Sequence, residues 1–284
     1  MQAPSLHLDR GPIVLGCALL LLTALFVSCA APRRDEDMAP HDHSTSKKAP
    51  SDIEGQARLA VLGMIHGAHR TSRLWGLKQV EETIRNYKPD VILCEIPPDR
   101  WERIWRDYSS SRLIADDRVK VFPEYTDVLL PLKLELGFEV EPCAAWTKEM
   151  ARLRRRRMKS ASSDPQYAEL WSKYQEESAA IEAAHKAHRI VEDDPRVIHS
   201  EVYDARTKEE LGPYDRYLND LIGPGGWTHI NQAHYRLIDA AIRRHPGKRL
   251  LLMFGAGHKY WFLEQLRARK DIKLIDVTEY LPKP

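Results

Sequence analysis

Residues Leu250–Phe262 read LLLMFGAGHKYWF: an apolar run that ends in Gly255-x-x-His258. Near the front, Leu59–His69 reads LAVLGMIHGAH and ends the same way, in Gly63-x-x-His66. Short apolar runs closed by glycine read as buried strands. After the first run, SRLWGLKQVEETIRNYKPD carries Leu74, Leu77, Val80, Ile84 and Tyr87 at helical spacing, with Ser72 as N-cap and Pro89 stopping the helix at Lys88. Asp90–Ile96 is a second strand. Strand, helix and strand in so short a span form a βαβ unit with parallel strands.

The pattern extends outward from these two runs. Trp101–Tyr108 and Val128–Leu136 read as helices, and Phe138–Cys143 as a third strand. From Trp146 to about Asp220 the chain is rich in Lys, Arg, Glu, Ala and Gln, which predicts a helical insertion over about 146–225. Breaks are expected at Asp164-Pro165 and Asp194-Pro195, and Gly223-Pro224-Gly225-Gly226 ends it. A helix from Trp227 follows, with Ile230, His234, Leu237, Ile238, Ala241 and Ile242 on one face. A strand (Arg249–Phe254), a helix (Lys259–Arg269) and a last strand (Ile272–Val277) complete the domain. The expected fold is α/β: a largely parallel or mixed central sheet flanked by helices, with a helical insertion.

The N-terminus belongs to export rather than to the fold. Arg10 precedes an apolar run, Ile13–Val27, of signal-peptide length and short for a membrane span of about 20 residues. It ends in Val27-Ser28-Cys29-Ala30, a pattern that resembles a bacterial lipoprotein cleavage site. Residues 1–28 are then the signal peptide, and Cys29 is the lipidated N-terminus that anchors the protein at a membrane surface. Ala30 in place of Asp fits outer-membrane sorting in a Gram-negative cell, so an exported, periplasm-facing protein is expected. The bland alternative is an uncleaved anchor. Residues 29–56, rich in Pro, Ser, Asp and Lys, form a flexible tether, and His41 and His43 within it are solvated. Residues 57–284 suffice for one domain. With 43 basic and 41 acidic residues, net charge is +2, and no nucleic-acid field arises. Of four cysteines, Cys94 and Cys143 lie in the domain, too few for a disulfide framework; whether they pair stays open.

In parallel sheets, sites form at the carboxyl ends of strands. His66, Glu95 and His258 each leave such an end. Two imidazoles and a carboxylate suit a divalent metal (Mn, Co, Zn or Fe) with an open position that activates water. Without metal, one histidine serves as general base, oriented by Glu95. Both chemistries fit. His69 is read as solvated beside His66. Glu182, His185 and His188 lack the i, i+4 ligand spacing and read as a solvated helix face. Arg154–Arg157 with Lys159 is a charged helix face, or a contact for anionic lipid. Strand alternation points Cys94 away from Glu95. No G-x-S-x-G, Walker A or G-x-G-x-x-G is present.

Gly63-Met64-Ile65-His66, then Lys88-Pro89-Asp90-Val91-Ile92-Leu93-Cys94-Glu95-Ile96 with Arg100, then Gly255-x-x-His258, together resemble the TraB/PrgY/GumN and TIKI family, grouped with erythromycin-esterase-like and ChaN-like proteins. The match covers Leu59–Arg100 and Arg249–Val277. The resemblance implies an extracytoplasmic hydrolase acting on a peptide, ester or small molecule. TIKI members are metal-dependent proteases and the esterase branch uses a histidine base. It carries catalytic roles to His66, Glu95, Arg100 and His258, with His66, Glu95 and His258 as metal ligands. Relatives often place Arg-Asn or Arg-Asp where this chain has Ile230-Asn231. Asn231 and His234 are therefore expected to contact substrate, together with Arg100. ChaN-like lipoproteins bind haem, so a haem or small-ligand carrier is the second reading, and a catalytically inactive interaction module the third.

Overall fold

A computed structural model describes residues 55–283. The expected signal peptide, the expected acylation site at Cys29 and the expected tether to residue 54 lie outside the described residues. The protein is α/β, with a five-stranded, all-parallel sheet in the order β3-β2-β4-β1-β5. The strands are β1 (Ala57–Met64), β2 (Val91–Cys94), β3 (Glu139–Pro142), β4 (Arg249–Gly255) and β5 (Ile272–Ile275). β4 lies between β1 and β2, with Met64 level with Gly255 and Cys94 level with Met253. The three predicted site segments therefore leave adjacent strand ends. That is the physical reason for the two Gly-x-x-His runs.

α1 (Leu77–Tyr87) and α2 (Pro98–Ser111) flank β2 in the chain. A π-helical turn, Glu124–Leu129, runs into α3 (Leu130–Leu136). The insertion holds α4 (Lys148–Ser163), α5 (Ala168–Ala187), α6 (Pro195–Ile198) and α7 (Glu201–Ile222). Asp164 and Asp194 cap the segments that begin at the two Asp-Pro breaks. α8 (Trp227–Arg244) and α9 (Ala256–Leu266) complete the domain.

Strand alternation divides the core. Leu62, Met64, Ile92, Cys94 and Met253 pack with Trp75, Ile84, Tyr125 and Leu129 on one face. Leu59, Val61, Leu93, Leu252 and Phe254 pack with Ile238, Ile242, Phe262 and Leu266 on the other. The insertion has its own cluster, including Tyr174, Tyr214, Leu218, Ile222 and Trp227. Among the described residues, no helix is long and apolar enough to cross a membrane.

Several helices start elsewhere than the sequence predicts: α2 begins at Pro98 rather than Trp101 and α3 at Leu130 rather than Val128, and two further shifts bear on the site. α1 begins after Gly76, not at Ser72. The Ser72 hydroxyl instead accepts from the Leu74 and Trp75 N–H groups, in a turn that carries the Trp75 indole into the core to donate to the Gly63 carbonyl. α9 begins at Ala256, three residues before the expected Lys259, so His258 lies in a first helical turn rather than in a loop. Cys94 and Cys143 are both free and buried. His185 on α5 bonds Glu209 and Glu210 of α7 and has no part in the cleft.

Candidate functional site

Three consecutive strand ends supply the floor. Glu95, just past β2, is 8% exposed; its Oε2 accepts the Gly255 N–H at 2.9 Å. His66, just past β1, has φ +50°, left-handed backbone that a non-glycine residue rarely holds without compensation. The compensation is visible in its ring: Nδ1 lies 2.7 Å from Glu124 Oε1, and Nε2 lies 3.9 Å from Glu95 Oε2. From the far side, His258 brings Nε2 to 4.0 Å from Glu95 Oε1. The two imidazoles thus address the two oxygens of one carboxylate.

The glycine of the second motif is sterically required, and that of the first sits in a tight contact. A Cβ on Gly255 would stand 2.6 Å from His66 Nε2. One on Gly63 would meet the Ala256 Cβ at 3.1 Å. The glycine of the second motif makes room for the histidine of the first, and the glycine of the first makes room for the helix of the second.

Hydrogen bonds fix how each ring is protonated. The Asn231 amide donates through Nδ2 to the Trp227 carbonyl, so its Oδ1 faces His258 Nδ1, 2.6 Å away. Nδ1 of His258 must carry the proton, leaving a lone pair on Nε2. Burial first, then the His234, His66 and Arg154 charges, hold His258 well below its ordinary pKa. Its ring is stacked between Trp227 (4.7 Å between centroids) and Phe262 (5.9 Å). His66 goes the other way. Burial pulls its pKa down, but the charge and hydrogen bond of Glu124, with the charge of Glu95, outweigh this and leave it raised. Burial raises the pKa of Glu95, against the pull of His66 and the Gly255 N–H. Titratable groups pushed apart in one cleft mark acid and base roles.

The π-helical turn explains why Glu124 reaches His66. Successive residues of this turn both serve the sheet end. Glu124, fully buried, holds His66, while the Tyr125 hydroxyl accepts from the Glu95 N–H at 3.1 Å and donates to the Met253 carbonyl at 2.8 Å. Such turns recur at functional sites. Glu124 Oε2 has no partner. Neither Glu124 nor Arg118, which lines the cleft, was expected from sequence. The one signal for Glu124 is a lone charge in the aromatic context Phe122-Pro123-Glu124-Tyr125.

The other expected residues are placed differently. Arg100 does not line this cleft; its Nη1 pairs with both oxygens of Asp116 at 2.8 Å and faces a neighbouring depression. Asn231 and His234 are fully buried and line no part of the cleft. Asn231 orients His258. His234 accepts the Ala145 N–H on Nδ1 and sets its ring at right angles to His258, 5.3 Å between centroids. His69 is buried, accepting the Ile65 N–H and donating to the Trp75 carbonyl, and so pins the turn after β1. Burial pushes the Cys94 thiol up to about 12, which excludes a thiolate beside Glu95.

The cleft holds about 710 Å³, within the range of small-molecule sites. Its walls include Phe122, Trp146, Met158 and Trp227, and Arg118, Arg154 and Arg155. The donor set of two lone-pair imidazole nitrogens and one carboxylate has the chemistry of a divalent-metal site, with Glu124 and Asn231 as outer partners. Yet among the described residues no group of three or more His, Cys, Asp or Glu stands ready to hold a metal ion. The nitrogen–oxygen separations of 3.9 and 4.0 Å exceed the about 3.4 Å between ligands of a tetrahedral ion with bonds near 2.1 Å. No family model, curated protein or solved structure matches this chain.

Proposed function

We propose that the chain is a TraB/TIKI-like hydrolase of ester or peptide bonds, with His66 as the base that activates water. The observation that supports this reading is the Glu124–His66 hydrogen bond, which places a proton on Nδ1 and turns the Nε2 lone pair toward the cleft and Glu95. In the proposed step, Nε2 of His66 takes a proton from water as the oxygen attacks the carbonyl carbon. Glu95, whose pKa burial raises, enters this step protonated and gives its proton to the leaving oxygen or nitrogen as the carbon–leaving-group bond breaks. The proton on His66 then returns to Glu95, which restores the site. A metal held by His66, His258 and Glu95 would supply a water of lowered pKa. His258 remains neutral in either case, oriented by Asn231. No observation favours the haem-carrier reading over this one.

The test is a screen of ester and peptide substrates, with and without added Mn, Co, Zn or Fe. His66→Ala and Glu95→Gln are expected to lower kcat by at least about 100-fold, the usual scale for an acid–base group. Wild-type rates in both variants would refute the assignment. Elemental analysis of the protein decides between the metal and the metal-free route.

We further propose export and acylation at Cys29, supported by the Ile13–Val27 run and Ser28-Cys29. Cys29→Ala should move the protein out of the lipid-labelled membrane fraction; unchanged labelling would exclude that cysteine.

A further inference from the structure

The cations of the cleft are not all neutralised. Asp116 is shared by Arg100 and Arg103, and Asp117 pairs with Lys120. Arg118, next to Asp117 in sequence, lines both the cleft and the neighbouring depression, as does Arg155. Among the described residues, no carboxylate lies within ion-pair distance of Arg118, Arg154 or Arg155, whereas Arg70, Arg85, Arg206 and Arg216 all have such partners. Arg154 is fixed by its aromatic neighbours. Its Nε donates to the Tyr214 hydroxyl at 3.0 Å, and its guanidinium lies over the Trp146 and Tyr214 rings. Arg118 is half-buried, and burial and the Arg100 charge lower its pKa. Glu95, Asp116 and Asp99 act on its charge only from beyond ion-pair distance; a half-buried guanidinium with no direct ion pair is costly, and a planar fork of donors suits an oxyanion. Beside these cations the wall is apolar, with Phe122, Trp146, Met158 and Trp227.

We infer that the ligand of this cleft is an oxyanion carried on an apolar body, its anionic group held by Arg118 and Arg154 and its body against Trp146 and Trp227. This rests on the hydrolase reading above and names the substrate class of the same site. The oxyanion lies beside the His66–Glu95 floor, so a bond a few atoms from the charged group meets the base. Carboxylate and phosphate share the chemistry that these arginines recognise.

The test is titration calorimetry on the full-length chain with 3-phenylpropanoate, phenyl phosphate, the neutral 3-phenylpropanol and inorganic phosphate. One or both aromatic anions should bind at least about tenfold more tightly than the alcohol, the scale of one charge-assisted contact. The tighter of the two assigns carboxylate or phosphate. Arg118→Gln and Arg154→Gln should each erase that preference without changing the affinity for the alcohol. Arg118→Lys should keep part of it, and Arg157→Gln, exposed and outside the cleft lining, all of it. Equal affinity for alcohol and anions, no binding of either aromatic anion at millimolar concentration, or a preference that survives both glutamine variants would overturn the inference. Inorganic phosphate binding as tightly as phenyl phosphate would overturn the apolar half. His66→Ala should retain anion binding, so a failure of the hydrolase reading, seen as unchanged turnover in that variant, is separable from a failure of this one.

Discussion

A methyl group placed on Gly255 would press on His66 Nε2 at 2.6 Å and touch Glu95 Oε2 at 3.4 Å. The neighbour that would have to move is an imidazole tied to Glu124, in a backbone conformation that has no slack. Gly255→Ala should therefore cost about 1–3 kcal/mol of stability, as overpacked sites do, and should abolish whatever His66 does. Gly67→Ala, one residue past His66 with open space around it, should stay within about 0.5 kcal/mol. Chemical unfolding of the two variants beside wild type checks this, and equal stabilities would refute the steric account. Single residues were legible in the sequence wherever a strand delivered them: His66, Glu95 and His258 each follow an apolar run, and the parallel-sheet rule carries them to one edge. Glu124 and Arg118 arrive from segments of no regular period, so nothing local announced them. Arg100 was assigned to the site by the family resemblance, but two residues into α2 its N–H bonds the carbonyl of Pro97 and its side chain turns to Asp116.

Among the elements, the π-helical turn at Glu124–Leu129 joins the helical layer to the sheet edge. The sequence predicts a helix only from Val128, because Pro123 and the mixed Glu124-Tyr125-Thr126-Asp127 stretch lack an apolar period. The wider turn is set by tertiary contacts: Tyr125 bridges Glu95 on the β2 end to Met253 on β4, and Glu124 fastens His66. Tyr125→Phe leaves a buried N–H and a buried carbonyl to find other partners, at a cost of about 1–3 kcal/mol. It should also loosen Glu95, so any hydrolytic rate should fall more than the loss of stability explains. Equilibrium unfolding in urea, read beside the rate of the same preparation, tests both parts; a variant as stable as wild type would remove Tyr125 from this role. The displaced start of α9 has a similar origin. The Ala256-Gly257 pair looks like a loop in isolation, but Gly63 allows Ala256 to pack on β1, and the helix begins there.

At the scale of the whole molecule, the sequence conveyed the α/β class, the parallel β1–α1–β2 unit and the helical insertion, because hydrophobic period survives without knowledge of the tertiary fold. The strand order, with β4 between β1 and β2, and the way the insertion clamps the cleft depend on long-range contacts that no local period records. His199 is one of these clamps. At the junction of α6 and α7, its Nε2 accepts the Gly63 N–H at 2.9 Å and its Nδ1 donates to the Pro195 carbonyl, so the ring must be neutral to bind β1. Burial lowers its pKa to about 4 from the ordinary 6.5, and His234 is lowered to about 3. The folded state then binds fewer protons than the unfolded state between these values. The stability held by His199 is complete above about pH 6.5 and is lost as pH falls toward 4. From pH 7.5 to pH 5 the loss through His199 is about 2 kcal/mol at most, since the ring is only partly buried. His66, with a raised pKa, contributes in the opposite sense: its stabilisation is present at low pH and fades as pH rises through its folded value. His69, His234 and His258 are lowered like His199, so the domain should weaken in mild acid. His199→Gln keeps an acceptor for Gly63 and a donor for Pro195 without a titrating ring. Urea unfolding at pH 7.5 and pH 5 should show a smaller acid loss in His199→Gln than in wild type, by up to that amount. An identical loss in both proteins would mean that the insertion is not held to β1 by a neutral His199.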